Sequence, residues 1–344
     1  RCAVEVLRRF VDRAEGGTLL VEGVMSPRSS VLGAVMVCVA AVAVPSPAAA
    51  QDIWRRPHRA VRHVYRRVGA LDWHLVSIDL TQPGVRVVGT PESMLDPRAP
   101  GGGHTWRTTT EFAREVGAEV AINANYYDIF HGAFTTCGLT VTDGHAWRSA
   151  YVDRRLECWD SVGFGRGDRV NFFDSHGKVY GPAPERWMRT VVTGSPRVLA
   201  NGEVLAYTAP RHALVPNPRT LIGASADRRT LYLMVVNGRE GANKGMTCPE
   251  AARILRDFGA SDAVNLDGGG SSTLYIRSEG GLVSRPADRL ERPVGNHLGI
   301  VLDAPPEDDP TDDPSPAAPA SLRASVSHPS LPQRTPAARN ARTP

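Results

Sequence analysis

The chain has 344 residues, with 40 Lys and Arg against 36 Asp and Glu and a formal net charge of +4 at pH 7. So even a balance gives no general electrostatic ground for nucleic-acid binding. The chain contains five cysteines, but no Cys-x-x-Cys pair or His/Cys cluster marks a zinc site.

From the N-terminus, residues 1–24 carry no pattern and read as an upstream, non-native extension. Met25, Arg28, the apolar run Val31–Val44 and the small residues up to Ala50 supply the three parts of a secretory signal peptide over 25–50. That run is shorter than the about 20 residues of a membrane span, so no stable span is expected after cleavage and the destination is secreted or cell-envelope. Residues 51–71 read as a solvated basic arm (Arg55, Arg56, Arg59, Arg62, Arg66 and Arg67) suited to an anionic cell-envelope polymer. A folded domain is assigned to 72–303, and the Pro- and Ala-rich segment 304–344 to a disordered tail.

Within the domain, short runs with strand character recur: Trp73–Leu80, Val85–Val88, Leu139–Thr142, Val162–Phe164, Val170–Phe173, Val198–Leu199, Thr220–Ala224 and Leu231–Val236. Asp143-Gly144, Asn201-Gly202 and Asn237-Gly238 mark turns between them. Only two helices carry clear signals. Thr109 or Thr110 can cap a helix ending before Gly117; Thr247 with Pro249 and Glu250 starts one that Gly259 closes. The pattern is α+β, mainly antiparallel sheets with a few helices.

Each helix runs into a copied segment. Gly117-Ala-Glu-Val-Ala-Ile-Asn-Ala-Asn125 and Gly259-Ala-Ser-Asp-Ala-Val-Asn-Leu-Asp267 align without a gap, 142 residues apart, which suggests a pseudo-two-fold internal repeat. Strand alternation puts Asn123 with Asn125 on one face, and Asn265 with Asp267 on one face. Buried polar groups need partners, so both pairs are expected at one polar cleft. The second copy continues into Gly268-Gly269-Gly270-Ser271-Ser272-Thr273, a loop that lets backbone approach a ligand closely. Of the cysteines beyond the leader, Cys137 and Cys158 are the expected disulfide in an oxidising compartment, with Cys248 left free.

The segments Ala121–Tyr127, Gly138–Gly144, Gly194–Gly202, Pro218–Gly223, Leu231–Arg239, Gly245–Thr247, Asn265–Thr273 and Arg292–Asn296 together resemble the phosphodiester glycosidase family, in that family's order across nearly the whole domain. One departure is Asn237-Gly238-Arg239, where the family usually carries Asp-Gly-Arg. The resemblance implies hydrolysis of a sugar-1-phosphodiester, GlcNAc-1-phosphodiester-like, to free sugar and phosphomonoester.

On that reading, Asp267 is the first catalytic carboxyl, with the second among Asp128, Glu240 and Asp143. Arg219 or Arg239 binds the phosphodiester, and Gly268, Gly269 and Gly270 with Ser271 and Ser272 form an anion nest. Asn123, Asn125 and Asn265 orient sugar hydroxyls; Thr273, Arg292 and Asn296 complete the substrate-binding set. No cofactor is expected, although Asp267 and its hydroxyls offer oxygen to a divalent cation such as calcium. A serine hydrolase using Ser271 with His297 lacks Gly-x-Ser-x-Gly spacing. The alternative class is a non-catalytic glycan- or phosphate-binding protein of wall or exopolysaccharide assembly.

Overall fold

Apolar alternation along short strands builds three antiparallel sheets around one shared core. A computed structural model describes residues 51–91, 94, 106–127, 136–147, 158–165, 169–175, 185–205 and 211–303. The assigned leader and tail fall outside these residues, as does Asp128.

The largest sheet has eight strands, ordered Gln51–His58, Val61–Val68, Leu71–Asp79, Thr230–Val236, Arg219–Ala224, Asp262–Asn265, Arg197–Ala200 and Glu203–Val204. A five-stranded sheet runs Gly281–Leu282, Leu274–Ile276, Val120–Asn123, His297–Leu302, Val85–Gly89. Another runs His145–Ala146, Val141–Thr142, Thr190–Gly194, Asp160–Phe164, Val170–Asp174. Val76, Ile78, Ile222, Leu233 and Val264 of the first meet Val120, Ile122 and Ile300 of the second and Val162 and Phe164 of the third in a single buried cluster. Both faces of the eight-stranded sheet are therefore apolar: Trp73, Leu75, Leu221 and Met234 point the other way.

One helix covers each outer face. Helix α1, Thr109–Val116, lays fully buried Phe112 and Ala113 on Ala121 and Tyr275 of the five-stranded sheet. Helix α2, Cys248–Asp257, lays Ala251, Ala252 and Leu255 on Leu221, Met234 and Ala263. Burying Phe112 contributes roughly 1.5–3 kcal/mol. Both helices start with a complete capping box, Thr108 with Glu111 and Thr247 with Glu250, each cap worth about 1 kcal/mol. The first cap is Thr108, one residue before the hydroxyls the sequence suggested, because its extended backbone (φ −70°, ψ 156°) lets the side chain accept from the Glu111 amide.

The basic arm is corrected by the structure. Residues 51–68 form a hairpin that extends the large sheet through Val61–Val68 pairing with Leu71–Asp79. Val61, His63 and Val64 are buried while Arg55, Arg56, Arg62 and Arg67 stay exposed, so the charges lie on strands with an apolar side. The two copied segments enter different sheets, Val120–Asn123 in the five-stranded one and Asp262–Asn265 in the eight-stranded one. Their ends meet: the Asp267 amide donates to the Ala124 carbonyl at 2.9 Å, and Asn123 Nδ2 donates to the Asp267 carbonyl at 2.7 Å. Cys137 and Cys158 form the expected disulfide; Cys248 is free and buried, and burial pushes its thiol up to about 11.

Candidate active site

The three glycines after Asp267 each answer a different steric demand. A Cβ on Gly268 would lie 2.8 Å from the Pro218 carbonyl oxygen. Gly269 has φ +63°, and a Cβ there would meet Arg239 Nη2 at 2.7 Å. At Gly270 it would run into Arg292 Nη2 and Asp288 Oδ2. Gly269 alone needs the left-handed region; the run as a whole allows two guanidinium groups to lie against bare backbone. A short 3-10 turn, Gly269–Ser271, then leads into the Leu274–Ile276 strand.

Asp267 sits at the foot of this loop, recessed yet still in solvent contact. Loss of water around the carboxyl pushes its pKa up to about 6, against the opposing pull of the Ser271 hydroxyl, Arg292, the Gly268 amide and Arg239. Tyr127 Oη and Arg292 Nη1 each lie 3.5 Å from Ser271 Oγ. Tyr126 accepts from Asn265 Nδ2 at 2.7 Å and donates to the Ser195 carbonyl at 3.2 Å. Burial first, then the Asp267 charge, holds both tyrosines protonated above the usual phenol range. Asp288 pairs with Arg292 and lies 3.8 Å from Arg239 Nη1. The site thus holds a desolvated carboxyl, two guanidiniums tied to one acid, two phenols and a glycine backbone.

The structure gathers part of the sequence-derived set here: Asp267, Gly268, Gly269, Gly270, Ser271, Arg239 and Arg292. Ser272 joins the loop with its buried Oγ unpartnered among the described residues, as is Asn265 Oδ1. Thr273 is turned inward, its hydroxyl donating to the Ser271 carbonyl and its amide to Asn123 Oδ1. Asn123 is spent on structure, accepting also from Thr220 Oγ1 at 2.7 Å, and staples the two sheets beneath Asp267. Asn125 donates to the Cys137 carbonyl and Thr140 Oγ1 and accepts from the Thr193 amide and Asn296 Nδ2. Asn296 returns the favour by accepting from the Asn125 amide. Buried amides committed to these partners hold the cleft's walls rather than lining it, and of these Asn125 alone has all four of its side-chain positions filled.

Arg219 differs from its expected role. It is 2% exposed, and its guanidinium donates to the Met246, His212 and Val215 carbonyls. A buried cation held by three carbonyls through Nε and Nη2 fixes loops instead of presenting its fork to a phosphate. Glu240 is exposed and paired with Arg285 at 2.7 Å. Asp143 is the exposed first residue of a tight turn, φ +52°, and Asp128 lies outside the described residues. Both ring nitrogens of His297 are engaged, with Thr90 and the Arg107 carbonyl, while its ring stacks on Phe112; it is not a base for Ser271. Sequence reasoning missed Tyr126, Tyr127 and Asp288. The Tyr-Tyr pair closing the copied strand was the available signal; nothing marked Asp288.

Among the described residues no three His, Cys, Asp or Glu side chains converge to hold a metal ion. Around Asp267 the donors are one carboxylate and hydroxyls beside two guanidiniums, a poor fit to a hard cation that wants six or more oxygens. No described helix is long and apolar enough to cross a membrane.

Residues 116–301 match the phosphodiester glycosidase family model, a span that includes Asp267, Arg239 and Arg292. The chain is 29% identical over 229 residues to the SPbeta prophage-derived uncharacterized protein YomE of Bacillus subtilis (strain 168), covering 63% of this chain. It spans about a third (33%) of that curated relative's length. Among solved structures, the zebrafish N-acetylglucosamine-1-phosphodiester alpha-N-acetylglucosaminidase catalytic domain, auto-inhibited by its pro-peptide, superposes with a TM-score of 0.52 at 19% identity. The match covers 73% of this chain and 88% of that one. A hypothetical protein from Synechocystis gives a TM-score of 0.52 at 14% identity, covering 73% and 64%. These two likenesses bear on the fold, and the family match bears on the sequence. The chain belongs to the phosphodiester glycosidase family.

Proposed function

We propose that this protein hydrolyses a sugar-1-phosphodiester at the Asp267 site, cleaving the bond between the anomeric carbon and the phosphate oxygen. The observation that supports this best is the pairing of one desolvated carboxyl with two guanidiniums laid on bare glycine backbone. A phosphodiester carries one negative charge, and Arg239 and Arg292 with the Gly268–Gly270 loop supply the complementary field. The electron pair of the breaking C–O bond goes to the phosphate oxygen, which leaves as a phosphomonoester without needing a strong acid. Water adds to the anomeric carbon. Asp267, as carboxylate, faces the oxocarbenium-like charge and takes the water's proton.

A GlcNAc-1-phosphodiester is the substrate we favour, by analogy with the zebrafish relative's name. The disulfide supports an exported protein, since such bonds persist in oxidising compartments. We derive no step through a metal ion, and insensitivity to a chelator is the matching expectation. The non-catalytic alternative rested on Asn237, and that side chain bonds Asp72, His74 and the Arg285 amide rather than the Asp267 carboxyl.

The test is hydrolysis of methyl GlcNAc-1-phosphodiester in oxygen-18 water. Label in the sugar's anomeric hydroxyl supports a glycosidase. Label in the phosphate would mean a phosphodiesterase, and binding without turnover a glycan-binding module.

A further inference from the structure

Away from Asp267, a second carboxylate is buried completely and bonded completely. Asp72 Oδ1 accepts from Asn243 Nδ2 at 2.8 Å and Arg285 Nη2 at 2.7 Å. Its Oδ2 accepts from Asn237 Nδ2 at 3.0 Å and Tyr65 Oη at 2.9 Å. The Asn237 amide N–H also donates to the Asp72 carbonyl at 3.2 Å. An open cleft of about 360 Å³ lies alongside, lined by Tyr65, His74, Glu279 and Arg285 among others. Its polar groups are already engaged with one another or with Asp72, so it offers a ligand little. The network's reach lies elsewhere.

Three of its four side-chain donors, Asn237, Asn243 and Arg285, come from the two segments that carry the site's guanidiniums. Asn237 and Asn243 bracket the turn that displays Arg239, whose backbone is left-handed at φ +59°. Within that turn Glu240 and Asn243 exchange amide–carbonyl bonds at 3.1 and 2.9 Å, and Gly238 packs where a Cβ would meet the Gly245 nitrogen at 2.8 Å. A non-glycine residue in that conformation is held there by its surroundings. Arg285 begins the segment that continues to Asp288 and Arg292, and its amide donates to Asn237 Oδ1 at 2.9 Å. One carboxylate on the Leu71–Asp79 strand therefore anchors both ends of one loop and the start of the other. Asp72 also lies outside the 116–301 family match.

We propose that Asp72 is the positioning residue for the Asp267 site, setting Arg239 and Arg292 through Asn237, Asn243 and Arg285 without touching substrate. The bond pattern requires an amide at 237. Asn237 Oδ1 faces the Arg285 N–H, so Nδ2 faces Asp72, and a carboxylate at 237 would put two buried acids 3.0 Å apart. The proposal rests on the functional reading only for the ligand the arginines would hold.

Two measurements on the whole protein test it: amide hydrogen exchange, and titration with inorganic phosphate as the anion probe. Asp72→Asn should speed exchange in 238–245 and 285–289 by about tenfold or more, leaving strand 219–224 unchanged. Phosphate affinity should fall by about tenfold through misplaced guanidiniums. Asn237→Asp should do the same, and Asp72→Asn with Asn237→Asp should recover part of both. If Asp72→Asn does not fold, Asn243→Ser should loosen 238–245 alone and Arg285→Ala 285–289 alone. Uniform loosening of the large sheet, or unchanged exchange in both loops, overturns the proposal. If phosphate does not bind the unaltered protein, the reading of the Asp267 site fails while exchange still decides the role of Asp72.

Discussion

Among the carboxylates withdrawn from bulk water, Asp72 and Asp267 are treated in opposite ways. Asp72 receives four hydrogen bonds, one from a guanidinium, and ties three segments together. Asp267 receives the Ser271 hydroxyl and Gly268 amide, feels two guanidiniums at longer range, and has its pKa raised to about 6. The difference is one of compensation. A buried acid given a full set of donors becomes a fixed anchor, whereas one left short of them keeps proton affinity near neutrality and is available for chemistry.

The comparison can be broken most sharply at the glycines. Gly270→Ala places a methyl group against Arg292 and Asp288, and turnover is expected to fall by about 100-fold as the guanidinium is displaced. Steady-state kinetics should show it mainly in kcat/KM, with circular dichroism unchanged. Next comes the disulfide, which lies beside the Asn125 network through the Cys137 carbonyl. Replacing Cys137 and Cys158 by Ser should lower unfolding free energy by about 3 kcal/mol in denaturant titration.

A smaller effect sharpens the comparison directly. Because the folded-state pKa of Asp267 is above its unfolded value, its stabilising share is present below about pH 4 and lost as pH rises through about 6. Asp267→Asn should therefore be more stable than the parent at pH 7.5, by about 1–3 kcal/mol, with the gap closing toward pH 4. Smallest of all, Glu240→Gln breaks an exposed pair with Arg285 and should cost under about 1 kcal/mol and leave turnover unchanged.

What was legible in the sequence was local. The capping box at Glu250, the turn glycines, the Cys137–Cys158 pair and the Asp267 loop all carry their signal within a few residues, whereas the first helix's cap was read one residue late. The hairpin at 51–68 was hidden because its arginines dominate the composition, and its strand character depends on pairing with Leu71–Asp79. Arg219 looked like a phosphate ligand because nothing local tells that three carbonyls will surround it. The Asp72 anchor was out of reach for the same reason: Asn237, Asn243 and Arg285 lie 165, 171 and 213 residues away along the chain. Copied strands pointed to Asn123 and Asn125, but not to their role, since saturation of an amide is a property of its neighbours.

The most direct measurement is kcat/KM for methyl GlcNAc-1-phosphodiester from pH 4 to 8, for the unaltered protein and Asp267→Asn. Activity is expected to rise with pH through a limb near 6, because kcat/KM reports the carboxyl of the free enzyme, and to fall by about 100- to 10,000-fold in Asp267→Asn with that limb gone. An Asp267→Asn protein with the parent's rate and the parent's pH limb would contradict it.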